Sequence, residues 1–333
     1  MSRILKDFRR WLPGVVVSLI IIVVLSRAVD WNSVVFAFST IDLRFLVLHG
    51  LCYFGLILAR AMASRILLEN RPTFRDSFVI MMQGYLLNNV LPLRLGELGR
   101  AYLLGRKTGQ GMFNALPAIV IERFYDLAFA ALVLVSTLPF VLSGVDWARP
   151  VAYTTLAVVA AGLLSLHLVA RFRIPIRSWV DRVAHRVPLV EKYVLPQNDA
   201  FLDGLAVLTN LRSFIASLLW MTLSWTFGIA AQFALLRGFL PTAPLLYSTF
   251  ALGASSFAGA IPSAPSALGV LEGAVVGSLA ILNVDSGIAL AFAVTHHIAH
   301  IVYSGIVGLY GFSRSDISVM DLYEKLLNRK TEE

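Results

Sequence analysis

Six apolar runs, each near the length that a membrane span requires, constrain this chain more than any other feature. A helix of about 20 apolar residues crosses the hydrocarbon core of a bilayer. Lipid offers the backbone no hydrogen-bond partner, so only helices and closed barrels, which pair their own N–H and C=O groups, span it. The runs cover residues 12–28, 43–67, 116–142, 151–170, 211–236 and 287–312. The sequence therefore predicts an all-α polytopic membrane protein with about six transmembrane helices.

The composition agrees with this class and excludes several others. Hydrophobic residues make up 58% of the chain and charged residues 14%, whereas about a quarter of a soluble domain is charged. The net charge of +8 does not indicate nucleic-acid binding, because basic residues are enriched in the cytoplasmic loops of membrane proteins. The single cysteine, Cys52, excludes a disulfide framework and a cysteine-rich metal site, and we expect no metal or cofactor.

Basic residues between the runs predict the orientation. Lys and Arg are frequent in residues 3–10, 60–75, 171–192 and 313–333 and scarce in 27–42 and 142–147. The positive-inside rule places both termini, the tail 313–333 and an amphipathic linker over 171–210 on the cytoplasmic side of the cytoplasmic membrane. Six crossings account for every change of side, and only Arg237 departs from the rule.

Two further apolar segments, 74–104 and 245–282, are each interrupted near the middle by proline and glycine. Proline breaks a helix, and non-helical backbone at membrane depth is tolerated only inside protein or beside a wet cavity. Basic residues flank 74–104 on both sides, which predicts a re-entrant hairpin entered from the cytoplasm. The segment 245–282 follows an odd number of crossings, which predicts a second re-entrant hairpin entered from outside.

The segments group into two copies of a span, a hairpin and a span, over 43–142 and 211–312. Glu97 and Glu272 lie 175 positions apart, and so do Glu122 and His297. The first copy starts outside and the second starts inside, which predicts an inverted-topology repeat around a central site. Chance similarity among apolar helices is the alternative.

The first hairpin has an unusual set of charges for a membrane segment. Arg94 sits at the break, and Glu97 and Arg100 lie three residues apart on one face of the helix that follows. A helix N-terminus with guanidinium groups beside it suits a phosphate, so we predict that this cluster binds a lipid head group. In the alternative, both arginines are ordinary cytoplasmic-face residues and Glu97 is their salt-bridge partner.

Glu122, Arg123 and Asp126 place three charges within five residues early in the third run. Charges inside a span need partners and face the interior of the bundle. We predict that Arg123 pairs across helices with a carboxylate of a hairpin. A substrate site and a purely structural network are alternative roles for these residues.

The second hairpin combines small residues with one isolated acid. Pro262, Ser263, Ser266 and Gly269 permit close approach of the backbone near Glu272. An intramembrane glutamate is a candidate proton carrier. The structural alternative is a salt bridge to an arginine of the first copy, at position 94, 100 or 123.

The last run contains His296, His297 and His300. His297 is predicted to titrate or to bind phosphate, and hydrogen bonding between helices is the alternative. The spacing of His296 and His300 suits zinc but lacks the acid of a zinc-protease motif, so metal binding is not predicted. The sequence contains no ATP-binding motif, so we expect transport to be passive or coupled to a proton or cation.

These residues resemble one known family. The string from Asn88 to Arg100, which reads P-x-R-x-G-E-x-x-R from its fifth residue, is similar to the lysylphosphatidylglycerol synthase transmembrane-domain, or flippase-like domain, family. Glu122-Arg123 with Asp126 and the stretch 262–272 extend the resemblance over nearly the whole chain. Where the family often has a Gly-Gly pair, this chain has Ser266-Ala267-Leu268-Gly269. The resemblance implies translocation of a lipid between leaflets, and without an aminoacyl-transferase domain it does not imply lipid aminoacylation.

We therefore expect a flippase for an anionic lipid, either a phospholipid or a polyprenyl-phosphate carrier, whose head group lies between the two hairpins. Membrane lipids and a coupling proton or cation are the expected partners. The alternatives are a membrane-embedded enzyme acting on a lipid phosphate and a cell-envelope scaffold. No nucleophile–base pair is recognisable in the sequence, which counts against the enzyme.

Overall fold

A computed structural model describes residues 16, 19–27, 29–91, 95–142, 148–184, 195–258 and 264–327. These residues are mostly helical and form no strand, which confirms the predicted all-α class. Among them, five helices are long and apolar enough to cross a membrane. They match the second to sixth apolar runs, so the chain is a multi-pass membrane protein.

The described helices follow one another in this order. They are α1 (Leu19–Arg27), α2 (Trp31–Thr40), α3 (Leu43–Leu67), α4 (Phe74–Val90), α5 (Leu95–Thr108), α6 (Met112–Val141), α7 (Ala148–Arg171), α8 (Arg173–Ala184), α9 (Leu195–Leu205), α10 (Leu211–Phe239), α11 (Leu245–Ala258), α12 (Val270–Ile281), α13 (Ser286–Ser313) and α14 (Val319–Leu327). Several begin at a side chain that accepts free backbone N–H groups, at Asp30, Asp42, Thr73, Asn210 and Asp285.

The first predicted run, 12–28, is described only at residue 16 and in α1. α1 and α2 meet at 88°, and together they have the length and composition of a sixth span. The buried face of α2, with Val34 and Ala37, packs against the start of α13. A side chain on Gly287 would lie 2.4 Å from Ser33 there, so glycine permits the close contact.

α3 and α10 pack along most of their length and form the central pair of the molecule. The Asp42 N–H donates to the Gly238 carbonyl at one end of the pair. Farther along, a Cβ on Gly55 would lie 2.9 Å from the Phe227 ring. Residue numbers rise along one helix as they fall along the other, so the two helices are antiparallel and begin at opposite ends of the bundle.

Each interrupted segment consists of two helices that pack against each other: α4 with α5, and α11 with α12. The breaks cover 91–94 and 259–269, of which 92–94 and 259–263 lie outside the described residues. A Cβ on Gly96 would lie 2.2 Å from the carbonyl oxygen of Gly84, so only glycine allows α5 to fold back this closely on α4. Entry and exit of each pair on one face of the membrane stays a prediction.

Packing in one half of the molecule has a counterpart in the other. α4 packs on α13 and α11 packs on α6, while α5 packs on α6 and α12 packs on α13. The four helices α3–α6 can be matched in order with the four helices α10–α13. Under this matching, each contact named above corresponds to another contact that is also present, and the α3–α10 pair corresponds to itself. This is the packing that an internal repeat requires; the opposite orientation of the two copies stays a prediction.

The linker and the tail are partly helical. The linker 171–210 contains α8, α9 and a 3₁₀ turn at Ala206–Thr209, with 185–194 outside the described residues. α9 packs on α6, where Gly204 meets Pro117. In the tail, α14 lies against α5, and the Lys325 ammonium sits 5.8 Å from the centre of the Tyr102 ring. The cytoplasmic position of both segments stays a prediction.

Candidate functional site

Arg100 of α5 and Glu122 of α6 form an ion pair inside the protein. Both terminal guanidinium nitrogens lie 2.7 Å from carboxylate oxygens of Glu122, and one also donates to Ser64 Oγ at 2.7 Å. The two side chains are 2% and 0% exposed. This bidentate geometry ties α5 to α6 and α3, and removing either partner would leave a buried charge unpaired.

A second buried pair joins α3 to α6. Arg60 donates to the two carboxylate oxygens of Asp126 at 2.6 and 2.8 Å, and the Trp225 indole N–H donates to the same carboxylate at 3.3 Å. Arg60 is absent from the predicted site, because an arginine near the end of an apolar run also satisfies the positive-inside rule. Its position a full two turns before the end of α3 was the signal that it lies inside the bundle.

Arg123 connects this pair to the first interrupted segment. Its Nη1 lies 3.0 Å from Asp126 and its Nη2 lies 3.3 Å from Glu97 of α5. The predicted pairing of Arg123 with a carboxylate of the first interrupted segment is therefore confirmed. Glu97 faces Arg123 rather than Arg100, although Glu97 and Arg100 share a helix.

The arginines of this network differ in how firmly they are held. Arg60 and Arg100 make bidentate hydrogen bonds, whereas the Nε and Nη2 atoms of Arg123 are buried without a hydrogen-bond partner among the described residues. Glu97 Oε2 is unpartnered in the same way. Because the Arg123 side chain is still 30% exposed, it is the guanidinium of this cluster that is most available to a ligand.

Three guanidinium groups and three carboxylates make up this ion network, so its described charges cancel. They are Arg60, Arg100, Arg123, Glu97, Glu122 and Asp126. Arg94, predicted to bind phosphate, lies outside the described residues. The bidentate Arg100–Glu122 pair counts against the prediction that Arg100 binds a head group, because an incoming phosphate would first have to displace Glu122 from Arg100.

Glu272 and His297 form the corresponding pair in the second half. Glu272 Oε1 lies 2.5 Å from His297 Nδ1, and Glu272 Oε2 accepts the Gly269 N–H at 2.7 Å. Both side chains are less than a tenth exposed. On the far side of the imidazole, Ser266 Oγ lies 2.6 Å from Nε2. The structure thus brings a hydroxyl, an imidazole and a carboxylate into line, a nucleophile–base arrangement that the sequence does not reveal.

The donor and acceptor roles of the surrounding groups indicate how the Glu272–His297 pair is protonated. Ser304 Oγ donates to the His300 carbonyl, so it accepts from Asn89 Nδ2, and Asn89 Oδ1 must then face Ser266. The only hydroxyl proton of Ser266 goes to that oxygen, which leaves the imidazole to donate from Nε2. Glu272 and the imidazole then share one further proton across the 2.5 Å contact, so the pair as a whole is neutral.

The alternative of a salt bridge from Glu272 to Arg100 or Arg123 is wrong for this structure, because both arginines bind other carboxylates. Of the other residues predicted beside Glu272, Pro262 and Ser263 lie outside the described residues. Gly269 has φ of +80° and begins α12. Ser266 and Ala267 also have positive φ, at +61° and +56°. These are left-handed conformations that glycine adopts without strain, and they fall where the resembling family often has Gly-Gly.

Three other histidines, His49, His296 and His300, belong to a separate buried cluster. His49 Nδ1 donates to the Ala231 carbonyl at 3.0 Å, His296 Nε2 lies 3.2 Å from the Gln232 amide nitrogen, and the two imidazole rings are 5.3 Å apart. His300 packs against the ring of Tyr53. His49 is absent from the predicted site; its signal was a histidine inside an apolar run. Among the described residues, no three His, Cys, Asp or Glu side chains are grouped closely enough to hold a metal.

The helical membrane fold and its intramembrane ion pairs define a polytopic membrane protein with a charged core. Residues 11–308 match the family model described as the lysylphosphatidylglycerol synthase TM region, and the chain belongs to that family. This confirms the resemblance drawn from the sequence.

One relative matches this chain over most of its own, shorter length. The UPF0104 membrane protein MJ1078 of Methanocaldococcus jannaschii is 29% identical over 231 residues, which are 68% of this chain and 91% of that protein. No solved structure matches the chain.

Proposed function

We propose that the protein moves an anionic lipid between the two leaflets of the cytoplasmic membrane, with the phosphate of the head group bound at the ion network. The observation that supports this most directly is Arg123, whose side chain is 30% exposed and whose guanidinium has ionic contacts but no hydrogen bond to any described residue. Membership of a family named for a lipid synthase agrees with a lipid-related function.

The energetic argument concerns a phosphate in hydrocarbon. An isolated anion there is prohibitively costly, but one paired with guanidinium groups in a polar cavity is tolerated. Because the described charges of the network cancel, a phosphate binds by replacing a carboxylate: Arg123 exchanges Glu97 or Asp126 for the ligand. Arg94, which the sequence places at the break of the first segment, is proposed to supply a further cation. The lipid tails stay in the bilayer.

In the second half of the molecule, the Glu272–His297 pair is the group that gains and loses a proton during transport. Glu272 and His297 hold one proton between them, and both contact the break of the second interrupted segment through Gly269 and Ser266. Loss of that proton leaves an uncompensated carboxylate, which favours a different conformation of the segment. We therefore propose a proton as the coupling ion.

We further propose that the two interrupted segments are re-entrant hairpins of an inverted repeat, which meet at this site from opposite faces. The corresponding packing of the two halves and the antiparallel α3–α10 pair support this arrangement. Both halves also fasten the second limb of the interrupted segment to the next long helix through a buried pair: α5 to α6 by Arg100–Glu122, and α12 to α13 by Glu272–His297.

A leaflet-resolved assay in proteoliposomes tests the proposal. Fluorescent phosphatidylglycerol, phosphatidic acid and phosphatidylcholine are reconstituted, and quencher added outside reports the fraction reaching that leaflet. We expect wild type to move the anionic lipids faster than phosphatidylcholine, and Arg94→Ala, Arg123→Gln and Glu272→Gln to slow them by about tenfold or more, the value of one charged hydrogen bond.

The matched control is Arg44→Gln, which removes an arginine whose side chain is 90% exposed and paired with Asp42. It should transport at the wild-type rate. Equal rates in wild type and all three site variants would reject the proposed site, provided that the variants are reconstituted to the same density.

A second candidate, an enzyme acting on a lipid ester, is favoured by the line of Ser266, His297 and Glu272. In such an enzyme the serine oxygen attacks the ester carbon, histidine passes the hydroxyl proton to the departing alcohol, and water then releases the acid. Against it, the Ser266 proton is directed to Asn89 and not to the imidazole. A fluorophosphonate probe distinguishes the two: labelling of wild type that is lost in Ser266→Ala, together with release of free lipid products, would replace the transport proposal.

A further inference from the structure

A cleft of about 580 Å³ opens at the end of the bundle where α4, α5 and the last turn of α13 meet. This is the end that the positive-inside rule places in the cytoplasm. Four basic and two acidic side chains line it: Arg75, Arg106, Lys107, Arg314, Asp76 and Asp316. The cleft therefore has two net positive charges, and its size is within the range of small-molecule binding pockets.

Two of the cations are neutralised and two are not. Lys107 pairs with Asp76 at 3.2 Å, and Arg106 lies 3.6 Å from Asp316. No carboxylate of the described residues pairs with Arg75 or Arg314. These two unpaired guanidinium groups are therefore the source of the net charge of the cleft.

A single tyrosine holds both unpaired arginines on the same wall. Arg75 Nη2 donates to the Tyr310 hydroxyl at 3.1 Å, and the Arg314 guanidinium lies 5.8 Å from the centre of the same ring. Two like charges gathered around one side chain repel each other, and an anion between them removes that repulsion. Orientation in the membrane requires only that arginines lie on this side, and it does not require them to converge.

A buried amide completes the cleft on its inner wall. Gln83 is 3% exposed and lines the cleft, and its side chain has no hydrogen-bond partner among the described residues. It is packed against Gly311, where a Cβ would lie 2.9 Å from its Cγ and Cδ atoms. Because Gln83 lines the cleft, a ligand oxygen at the bottom of the cleft would accept from its amide N–H group.

We propose that this cleft binds the phosphate group of an anionic membrane lipid at the cytoplasmic face, with Arg75 and Arg314 holding the phosphate and Gln83 donating to a further oxygen of the head group. Guanidinium groups suit this role because they bind phosphate through paired hydrogen bonds. Basic pockets between helices at this level of a membrane protein are suited to phospholipid head groups. The site is separate from the ion network, and binding here does not depend on the proposed transport.

Calorimetric titration of the purified full chain in a non-ionic detergent tests the proposal. The probes are dihexanoyl phosphatidic acid, dihexanoyl phosphatidylcholine and inorganic phosphate. We expect phosphatidic acid to bind about tenfold or more tightly than phosphatidylcholine, and the double variant Arg75→Gln with Arg314→Gln to lose at least that factor. Arg75→Lys with Arg314→Lys, which retains the charges, should keep part of the affinity.

The control is Arg212→Gln, an exposed arginine at the start of α10 that is remote from the cleft and predicted to lie on the same face. It should bind as wild type does. Inorganic phosphate that competes with the lipid but binds more weakly identifies the lipid as the source of the phosphate. Equal binding of the anionic and zwitterionic lipids, or an unchanged affinity in the double glutamine variant, would overturn the proposal. Unchanged helical circular dichroism in each variant excludes misfolding as the cause.

Discussion

At the scale of single residues, the charged side chains inside the bundle fall into two kinds. Arg100 and Glu122 form a bidentate pair that is sealed from solvent, which is the geometry of a structural pair. Arg123 is partly exposed and makes ionic contacts but no hydrogen bond to any described residue, which is the geometry of a group that can change partners. Residue type and position alone do not separate these roles; hydrogen bonding and burial do.

The structural role of Glu122 predicts a large loss of stability on its removal. Glu122→Gln leaves the Arg100 guanidinium buried without a counter-charge, and such changes cost about 3–5 kcal/mol. The expected result is a pronounced fall in the unfolding temperature of the detergent-solubilised protein. Glu69→Gln is the control, since it breaks an exposed pair with Arg71 that is worth less than about 1 kcal/mol. Similar shifts for the two variants would contradict the structural role.

At the scale of helices, close contacts between the two limbs of the first interrupted segment depend on glycine. α5 approaches α4 so closely that the Gly84 carbonyl occupies the position of any side chain at 96. A clash with backbone cannot be relieved by a rotamer change, so the whole limb must move. The residues that such a shift would displace include Glu97 and Arg100.

Gly96→Ala is therefore expected to separate α4 from α5 and to lower both the yield of folded protein and its unfolding temperature. Gly162→Ala in α7 is the matched control, because a Cβ there meets nothing within 4 Å. Alanine should be neutral or stabilising by up to about 1 kcal/mol at that helical position, where a Cβ has open space. Size-exclusion profiles and thermal unfolding in detergent measure both. A Gly96→Ala protein as stable as wild type would show that the limbs are not packed this closely.

The helices could be predicted from the sequence far better than the contacts between them. Apolar length gives the spans, and the run 116–142 appears as α6 at Met112–Val141. Partners such as Arg60 and Asp126 depend on the rotation of one helix against another, which hydropathy does not specify. The approach of Ser266 to His297 likewise depends on how the second break folds. Nothing in Ser266-Ala267 marks a left-handed backbone, because serine and alanine disfavour it.

At the scale of the whole molecule, the antiparallel α3–α10 pair sets the relation between the two halves. Because both helices are long enough to cross the membrane, their C-terminal ends lie at opposite ends of the bundle. The loop after α3 and the loop after α10 should therefore be exposed to opposite sides of the membrane. Loop charge predicts the same sidedness from the sequence, and a direct measurement tests both arguments.

Single-cysteine labelling supplies that measurement. With Cys52 changed to serine, Arg71→Cys and Thr242→Cys each place one exposed thiol in the loops after α3 and α10. In intact cells a membrane-impermeant maleimide should label the Thr242→Cys protein, and it should label Arg71→Cys only after permeabilisation. Labelling of both from the same side would exclude the inverted repeat.

The cancellation of charge in the ion network bears on the response of the protein to voltage. The six described charges of the network sum to zero and Glu272 with His297 is neutral as a pair, so an applied potential exerts little net force on these groups. In the proposed transport, the field then acts on the lipid that is moved. One elementary charge crossing the bilayer gains or loses about 2.3 kcal/mol per 100 mV. A monoanionic lipid travelling alone would be driven outward by an inside-negative potential, whereas a lipid accompanied by a proton would be indifferent to it. Measuring how the proposed transport rate depends on voltage would therefore give the number of protons that move with each lipid.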